Sequence, residues 1–222
     1  MACFERLGAP GREALGEVVA AAREAGMLVL ADGKRGDVPV TASAYGQALV
    51  GATPTPWGEV PGLGADAYTA NPLLGRDALE PLVAAAEAAA AGVFALVRTS
   101  NAGAADVQDL ETADGPLHER LAAIVDGFAG RLQGSGPLSG MGAVVGATEP
   151  RHIARLRELM PRAIFLIPGV GAQGGRAEDL AAAFGPGRAA GLIAASRGIA
   201  SDPDPAGAAE RLRAIAWEVS AA

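Results

Sequence analysis

Cysteine and histidine are scarce in this chain of 222 residues, and their scarcity excludes several kinds of site. The single cysteine, Cys3, allows neither an internal disulfide nor a cysteine metal cage, which fits the reducing environment of the cytoplasm. The two histidines, His118 and His152, fall in polar helical stretches without the spacing of metal ligands. We therefore expect both histidines to be solvated helix residues, and we expect no metal site.

Long apolar runs and clusters of positive charge are also absent. Half of the residues are hydrophobic, yet no apolar run approaches the roughly 20 residues that span a membrane. Residues 1–6 lack the basic start and the apolar core of a signal peptide. The net charge of −7, without a stripe of basic residues, argues against a nucleic-acid partner. The length suits one domain over residues 1–222, so we expect a cytoplasmic enzyme domain without a membrane partner.

Lysine is the scarcest charged residue, because Lys34 is the only one among 18 basic residues and the other 17 are arginine. A guanidinium stays charged above about pH 12, whereas an ammonium can be tuned to release a proton. A chain that uses arginine elsewhere and keeps one primary amine therefore suggests a proton donor. The alternative is biased codon usage that left one surface lysine behind.

Two aspartates flank this lysine, and the first of them shares its strand face. The short apolar run 27–31 predicts a fully buried parallel strand. Residues two apart on a strand share a face, so Asp32 and Lys34 should lie side by side at its carboxyl end. An isolated structural ion pair is the alternative for Asp32.

The second aspartate, Asp37, precedes an alanine-rich helical stretch with Pro39 in its first turn, so we expect it to be the N-cap. Thr41 lies four residues further on, over the same helix face. A simple capping role is the alternative for Asp37. Two carboxylates near one ammonium favour its charged form, so the three groups together predict a pre-oriented acid.

Short apolar segments alternate with alanine-rich segments along the whole chain, which predicts an α/β fold with a parallel sheet. The predicted strands span residues 27–31, 65–70, 93–98, 141–145, 164–168 and 191–195. The predicted helices span residues 12–25, 38–50, 77–91, 116–133, 150–160, 177–184 and 205–219. We expect residues 53–64 to form a stiff loop with Trp57 as a packing anchor, and residues 101–115 to form a long loop where a (β/α)₈ barrel places active-site loops.

Further candidates follow the later strands. Residues 168–175 form a glycine-rich turn that leads into a helix, an arrangement that suits an anion, although tight packing also selects glycine. Arg197 follows the next strand, and barrel enzymes often build phosphate sites from their last two such loops. Ser100, just past the third strand, has a hydroxyl that could contact a ligand amide or form a local turn.

Together these segments resemble the orotidine 5′-monophosphate decarboxylase family, in the form with the signature Asp-x-Lys-Arg-x-Asp. The motifs that carry the resemblance are Asp32-Gly-Lys-Arg-Gly-Asp37 with Thr41, Thr69-Ala-Asn-Pro72, Arg98-Thr-Ser-Asn101, residues 168–175, and Ser196-Arg-Gly198. The resemblance implies a TIM (β/α)₈ barrel that converts orotidine 5′-monophosphate to uridine 5′-monophosphate without a cofactor. It also implies a homodimer.

The resemblance assigns a role to each candidate. Lys34 would protonate carbon 6 of the pyrimidine as carbon dioxide leaves, and Asp32 would belong to the charged array around that carbon. Asp37 and Thr41 would act in the active site of the partner subunit. The remaining implied substrate contacts are Ser100 to the base, Gln173 and Arg197 to the 5′-phosphate, and Gly174 beside Gln173.

The chain departs from the family in one respect, because the family begins with two more strands, which carry an aspartate and a lysine of the site. About six of the eight strands are predicted here, and residues 1–8 resemble the loop after the second strand. We expect a start codon assigned too late or a fragmentary gene, with roughly 50 further residues upstream. On that view residues 1–222 alone fold poorly and are inactive.

Two alternative functions remain open. A metal-dependent sugar-phosphate decarboxylase or aldolase of the same superfamily shares the Asp-x-Lys-x-x-Asp strand end and the late phosphate loop. A non-catalytic phosphonucleotide-binding fragment is the other alternative. Arg35-Gly36, Ser100 and Gln173 favour the pyrimidine reaction.

Overall fold

The computed structural model describes residues 1–221, and the chain divides into two compact units. The first is Met1–Ala95 and the second begins at Leu96. That residues 1–222 form a single barrel domain stays a prediction, because it concerns how the two units are arranged.

Helices and strands alternate along both units, as the sequence predicts. Helices α1 to α9 span Ala2–Glu5, Gly8–Glu24, Pro39–Leu49, Arg76–Ala88, Ala105–Gln108, Leu117–Asp126, Arg151–Leu159, Arg197–Ala200 and Pro205–Val219. Strands β1 to β10 span Leu30–Arg35, Ala52–Thr55, Gly58–Pro61, Ala67–Ala70, Gly92–Arg98, Glu111–Thr112, Gly115–Pro116, Ser139–Val145, Ala163–Pro168 and Gly191–Ala194. Short 3₁₀ helices span Ala102–Ala104, Ala177–Phe184 and Arg188–Ala190. Within residues 1–221, none of the helices combines the length and the apolar character needed to cross a bilayer.

The first unit is built on the parallel strands β1, β4 and β5, in that order. Strand β4 is buried along its whole length, and the Tyr68 hydroxyl donates to the Leu82 carbonyl of α4 at 2.7 Å. Gly46 allows α3 to approach α4 closely, since a Cβ at that position would lie 2.5 Å from the Ala85 Cβ. This packing holds β1 and β4 in place and therefore also fixes the residues at their carboxyl ends.

The second unit contains the parallel strands β8, β9 and β10. Residues 191–194 pair in register with residues 165–168, so β9 and β10 end side by side. The carboxyl ends of parallel strands share one edge, so the loops after them emerge together. The prediction of an α/β fold with about six parallel strands is confirmed.

A buried arginine holds the outer elements of the second unit to β9. Arg157 of α7 is 8% exposed, and its guanidinium lies 3.7 Å from the centre of the Phe165 ring. Burial lowers the pKa of this side chain to about 10. Its Nη atoms donate at 2.6–3.1 Å to the carbonyls of Met160, Ala163, Ala183 and Ala190.

Two predictions about the first unit are wrong. Residues 27–31 are not a fully buried strand, because β1 begins only at Leu30 and Leu28 is 86% exposed. Within this unit β1 pairs on one side only, with β4, and residues 27–28 precede the pairing. Residues 53–64 contain the antiparallel hairpin of β2 and β3, and Trp57 at its turn is 93% exposed rather than a packing anchor.

In the second unit two helical segments differ from expectation. The predicted helix 116–133 ends at Asp126, where Gly127 and Gly130 follow and weaken helix continuation. The helix predicted after the glycine-rich turn is present, but over Ala177–Phe184 it is a 3₁₀ helix. The predicted loop 101–115 contains the short helix α5 and the small hairpin of β6 and β7.

Candidate active site

A β-bulge lies at the carboxyl end of β1, and it contains the candidate residues Asp32 and Lys34. Ala31 pairs with Tyr68 and Arg35 with Ala70, so β1 uses four steps where β4 uses two. Bulges of this kind redirect side chains and occur next to active sites. Within the bulge Lys34 has a φ of 50°, in the left-handed region that non-glycine residues rarely adopt. Strain of this kind concentrates at functional positions, so it favours a functional role for Lys34.

Asp32 and Lys34 form the ion pair that their spacing predicts. The Lys34 ammonium donates to both carboxylate oxygens of Asp32, at 2.6 and 2.8 Å. The Thr69 hydroxyl donates to Asp32 Oδ1 at 2.9 Å and accepts from the Lys34 amide at 2.8 Å. Burial raises the pKa of the Asp32 carboxyl, but the hydrogen bonds from Lys34 and Thr69 and the Lys34 charge outweigh it, so the net shift is downward. Asp32 is therefore ionised at neutral pH.

Asp37 lies outside this pair. Its carboxylate accepts from the Val38 amide at 2.7 Å, and among the ion pairs of residues 1–221 Lys34 is matched with Asp32 and not with Asp37. The prediction that Asp37 is the N-cap is wrong by one residue, since Val38 occupies that position. The reason is Pro39 at the first helical position, which forces the residue before it into extended backbone. Thr41 lies in the first turn of α3 and is half-buried.

Arg35 and Gly36 complete the strand end. Arg35 forms an ion pair with Glu5, and its guanidinium lies 5.5 Å from the centre of the Tyr45 ring. Gly36 passes the backbone of Asn71 so closely that a Cβ would lie 2.7 Å from the Asn71 carbonyl oxygen. The glycine in the motif is thus required by close backbone approach.

In the second unit, Ser100 lies beside two glycines, and Gln173 lies beside one of them. A Cβ on Gly146 would lie 2.7 Å from the backbone of Ser100. A Cβ on Gly169 would lie 2.9 Å from the Ser100 Cβ and 3.2 Å from Gln173 Oε1. The Thr148 hydroxyl donates to the Ser100 carbonyl at 3.1 Å. Glycine at both strand ends therefore leaves just enough room for these two polar side chains.

The glycine-rich turn is closed by its own backbone. Gly169, Gly171 and Gly174 all have positive φ, and the amide of Gly174 donates to the carbonyl of Gly171 at 2.8 Å. Arg197 begins α8, three residues beyond the residue of β10 that pairs with Pro168. Its side chain is exposed at the strand edge from which the turn emerges. This edge therefore presents an unburied guanidinium beside a tight glycine turn, a combination that suits an anion.

His118 is buried and His152 half-buried, where the sequence predicted solvated helix residues. His118 is 3% exposed, and its ring packs edge-on against that of His152 with a centre-to-centre distance of 4.7 Å. His118 Nδ1 lies 3.2 Å from Asp109 Oδ1, and Asp109 in turn pairs with the buried Arg98. The expectation of solvated helix residues failed because α6 packs against α7, which covers the faces that carry the histidines. Within residues 1–221, no three or more acidic, histidine or cysteine side chains are grouped so that they could hold a metal ion.

Comparison with known proteins gives one consistent relationship. The family model described as "Orotidine 5′-phosphate decarboxylase / HUMPS family" matches residues 1–212. The chain is 44% identical over 204 residues to the orotidine 5′-phosphate decarboxylase of Rhodopirellula baltica, covering 89% of this chain and 65% of the relative. It is 44% identical over 200 residues to that of Deinococcus radiodurans, covering 90% and 68%. The structure of Leishmania donovani OMP decarboxylase superposes with a TM-score of 0.76 and 36% identity, covering 97% of this chain and 79% of that one.

The chain belongs to the orotidine 5′-phosphate decarboxylase / HUMPS family. The solved relatives are TIM barrels, so the predicted fold class is confirmed. The chain spans about two thirds of the length of the two curated relatives, at 65% and 68%.

Proposed function

We propose that the protein decarboxylates orotidine 5′-monophosphate to uridine 5′-monophosphate and carbon dioxide, the final step of pyrimidine nucleotide synthesis. The observation that carries the proposal is Lys34. It is the only lysine of the chain, it lies in a strained bulge with its ammonium 2.6 Å from Asp32, and the curated relatives carry this activity in their names.

The reaction needs a fixed positive charge that can also give up a proton. Loss of carbon dioxide leaves a negative charge on a ring carbon, and an ammonium aimed there stabilises that charge and then protonates it. The Asp32 carboxylate, held ionised by Lys34 and Thr69, accepts two hydrogen bonds from the ammonium and so fixes its position. No cofactor is required for this chemistry.

Four further residues supply the binding groups in this proposal. Ser100 contacts the pyrimidine, and Gln173, Gly174 and Arg197 bind the 5′-phosphate. The support is that Ser100 and Gln173 adjoin the same glycine and that Arg197 is exposed beside the glycine turn. Phosphate binding energy, gained far from the reacting carbon, holds the base in place for the reaction.

The proposal includes a cytoplasmic homodimer in which Asp37 and Thr41 act in the partner's site. Asp37 is not paired with its own Lys34 among the described residues, which leaves its carboxylate available. Val38 and Val40 beside it are 54% and 86% exposed, and exposed apolar side chains of this kind mark interaction surfaces.

An assay of the full-length protein tests the activity. We expect loss of the orotidine 5′-monophosphate absorbance that is equal in EDTA and in added magnesium. No loss of orotidine 5′-monophosphate, together with magnesium-dependent turnover of a sugar phosphate, would favour a metal-dependent sugar-phosphate enzyme of the same superfamily. Binding of uridine 5′-monophosphate without turnover would refute the decarboxylase assignment.

Subunit mixing tests the dimer. Lys34→Ala and Asp37→Ala proteins are each expected to be inactive, but a mixed dimer carries one site with both substitutions and one with neither. Activity should therefore return after mixing. No recovery after verified subunit exchange would mean that Asp37 acts in its own subunit.

A further inference from the structure

The end of β5 carries a network of polar side chains that the proposed reaction does not use. Arg98 is 4% exposed, and its guanidinium donates to both oxygens of Asp109 at 2.8 and 3.0 Å and to the Thr99 carbonyl at 2.7 Å. Gln108 Oε1 accepts from the Thr99 amide at 2.7 Å, and Gln108 Nε2 lies 3.0 Å from the Thr99 hydroxyl. Three polar groups of Thr99 are thus held, in the residue directly before Ser100.

The network is anchored from the buried side of α6. His118 Nδ1 lies 2.9 Å from the Gln108 carbonyl oxygen and 3.2 Å from Asp109 Oδ1. Because His118 is almost fully buried, it fixes residues 108–109 relative to the helix. The hydrogen bond from Arg98 lowers the pKa of the Asp109 carboxyl, so this residue stays charged against the guanidinium.

Ser100 itself has little freedom on its other side. Its backbone and Cβ abut Gly146 and Gly169, and its carbonyl accepts from Thr148. Its position is therefore set by the glycines on one side and, through Thr99, by Arg98 and Gln108 on the other. A polar group must be held to within about half an ångström to act in recognition, and neighbouring hydrogen bonds achieve this.

We propose that Arg98, Gln108 and Asp109 are positioning residues that fix Ser100 for recognition of the pyrimidine base. This inference rests on the proposed function. The three residues act on the base through Ser100, whereas the glycine turn is closed by its own backbone bonds. Disturbing the network therefore weakens recognition of the base and leaves recognition of the phosphate unchanged.

The test compares two ligands in the full-length protein by calorimetry. Gln108→Ala removes both side-chain contacts to Thr99, and we expect the Kd of uridine 5′-monophosphate to rise about tenfold. The Kd of ribose 5-phosphate, which lacks the base, should stay within about twofold. Gln133→Ala is the matched control, because it removes hydrogen bonds to Gly136 and Leu138 in the same unit. It should change neither Kd.

A double-mutant cycle separates positioning from general damage. In a Ser100→Ala background, Gln108→Ala should cause no further loss of uridine 5′-monophosphate affinity, because the group it positions is gone. Gln108→Glu keeps the acceptor for the Thr99 amide and should restore most of the affinity. Gln108→Met, which keeps the side-chain length, serves if the alanine variant does not fold.

Equal losses for both ligands, or additive losses in the cycle, would overturn the proposal. These results differ from failure of the proposed function, in which the unaltered protein neither binds uridine 5′-monophosphate nor consumes orotidine 5′-monophosphate.

Discussion

The carboxyl ends of β1 and β5 both carry a charged pair, but they hold it in opposite ways. Lys34 and Asp32 are two residues apart and each side chain is about half exposed, at 49% and 51%. Arg98 and Asp109 are eleven residues apart, and the Arg98 side chain is only 5% exposed. The first pair owes its orientation to a bulge in its own strand, the second to packing with a neighbouring helix.

This difference in exposure indicates different roles for the two pairs: reactivity for Lys34 and Asp32, and stability of the fold for Arg98 and Asp109. A half-exposed ion pair contributes little to stability, so Lys34 and Asp32 are free to be selected for reactivity. A buried pair is costly to break, because the remaining partner is left without compensation. We therefore expect substitutions at β1 to remove activity and substitutions at β5 to remove stability.

The largest expected effect is that of Lys34→Arg. The charge is kept but the proton donor is lost, so turnover of orotidine 5′-monophosphate should fall at least about a thousandfold. The unfolding free energy in urea should change by less than about 1 kcal/mol, because the side chain is half exposed. Arg12→Lys, the reverse exchange at an exposed position of α2, is the control and should affect neither. Near-normal turnover in the Lys34→Arg variant would contradict the role of Lys34.

The next largest is the loss of stability in Asp109→Asn. Arg98 would keep a buried charge without its counterion, so the unfolding free energy should fall by about 3 kcal/mol. Asp114→Asn is the matched control, since it breaks the exposed pair with Arg120 in the same segment and should cost less than about 0.5 kcal/mol. Similarly small losses of unfolding free energy in both variants would contradict the proposed difference between the ends of β1 and β5.

Arg197→Ala tests whether exposure, and not the unit to which a residue belongs, separates effects on function from effects on stability. Arg197 belongs to the second unit, as Arg98 does, but it is exposed. Binding of uridine 5′-monophosphate should weaken by about 2 kcal/mol, the scale of a charge-assisted contact, without loss of stability. Uridine, which lacks the phosphate, should bind both forms equally. Arg176→Ala removes a neighbouring guanidinium that already faces Glu178 and Asp179, and it should change affinity less than about twofold. Equal losses for both ligands would make Arg197 structural.

The smallest expected effect is a pH dependence that comes from His152. Burial and the neighbouring His118 lower its pKa from the ordinary value of about 6.5. Below about pH 6.5 the unfolded chain takes up a proton that the folded protein resists, so stability decreases as the pH falls toward the folded pKa. We expect the loss of unfolding free energy between pH 7 and pH 5, measured in urea, to be smaller in His152→Gln than in the unaltered protein. An increase in stability on acidification that depends on His152 would contradict the sign.

What the sequence predicted well is what short-range spacing determines. The alternation of segments predicted the α/β fold, and the two-residue spacing of Asp32 and Lys34 predicted their contact. The bulge was not predictable, because it depends on pairing with a strand more than 30 residues away. For the same reason the sequence assigned no role to Thr69, which closes the pair from β4.

The errors concern side chains whose burial is decided by distant packing. The polar neighbours of His118 and His152 indicated solvent exposure, but the two rings pack against each other, so that His118 is buried and His152 is half-buried. The prolines around Trp57 suggested a loop in which the indole packs, but the segment forms a two-stranded hairpin that carries the indole into solvent. In both cases the local sequence does not determine how much of the side chain is buried.

Because of the backbone conformation of Lys34, selection for stability and selection for activity favour different residues at position 34. A left-handed φ costs a residue with a Cβ on the order of 1 kcal/mol relative to glycine. A library randomised at position 34 and selected only for heat resistance should therefore be enriched in glycine and asparagine. The same library selected for growth without added pyrimidine should retain lysine. The residue at this position thus records which of the two pressures has acted on the chain.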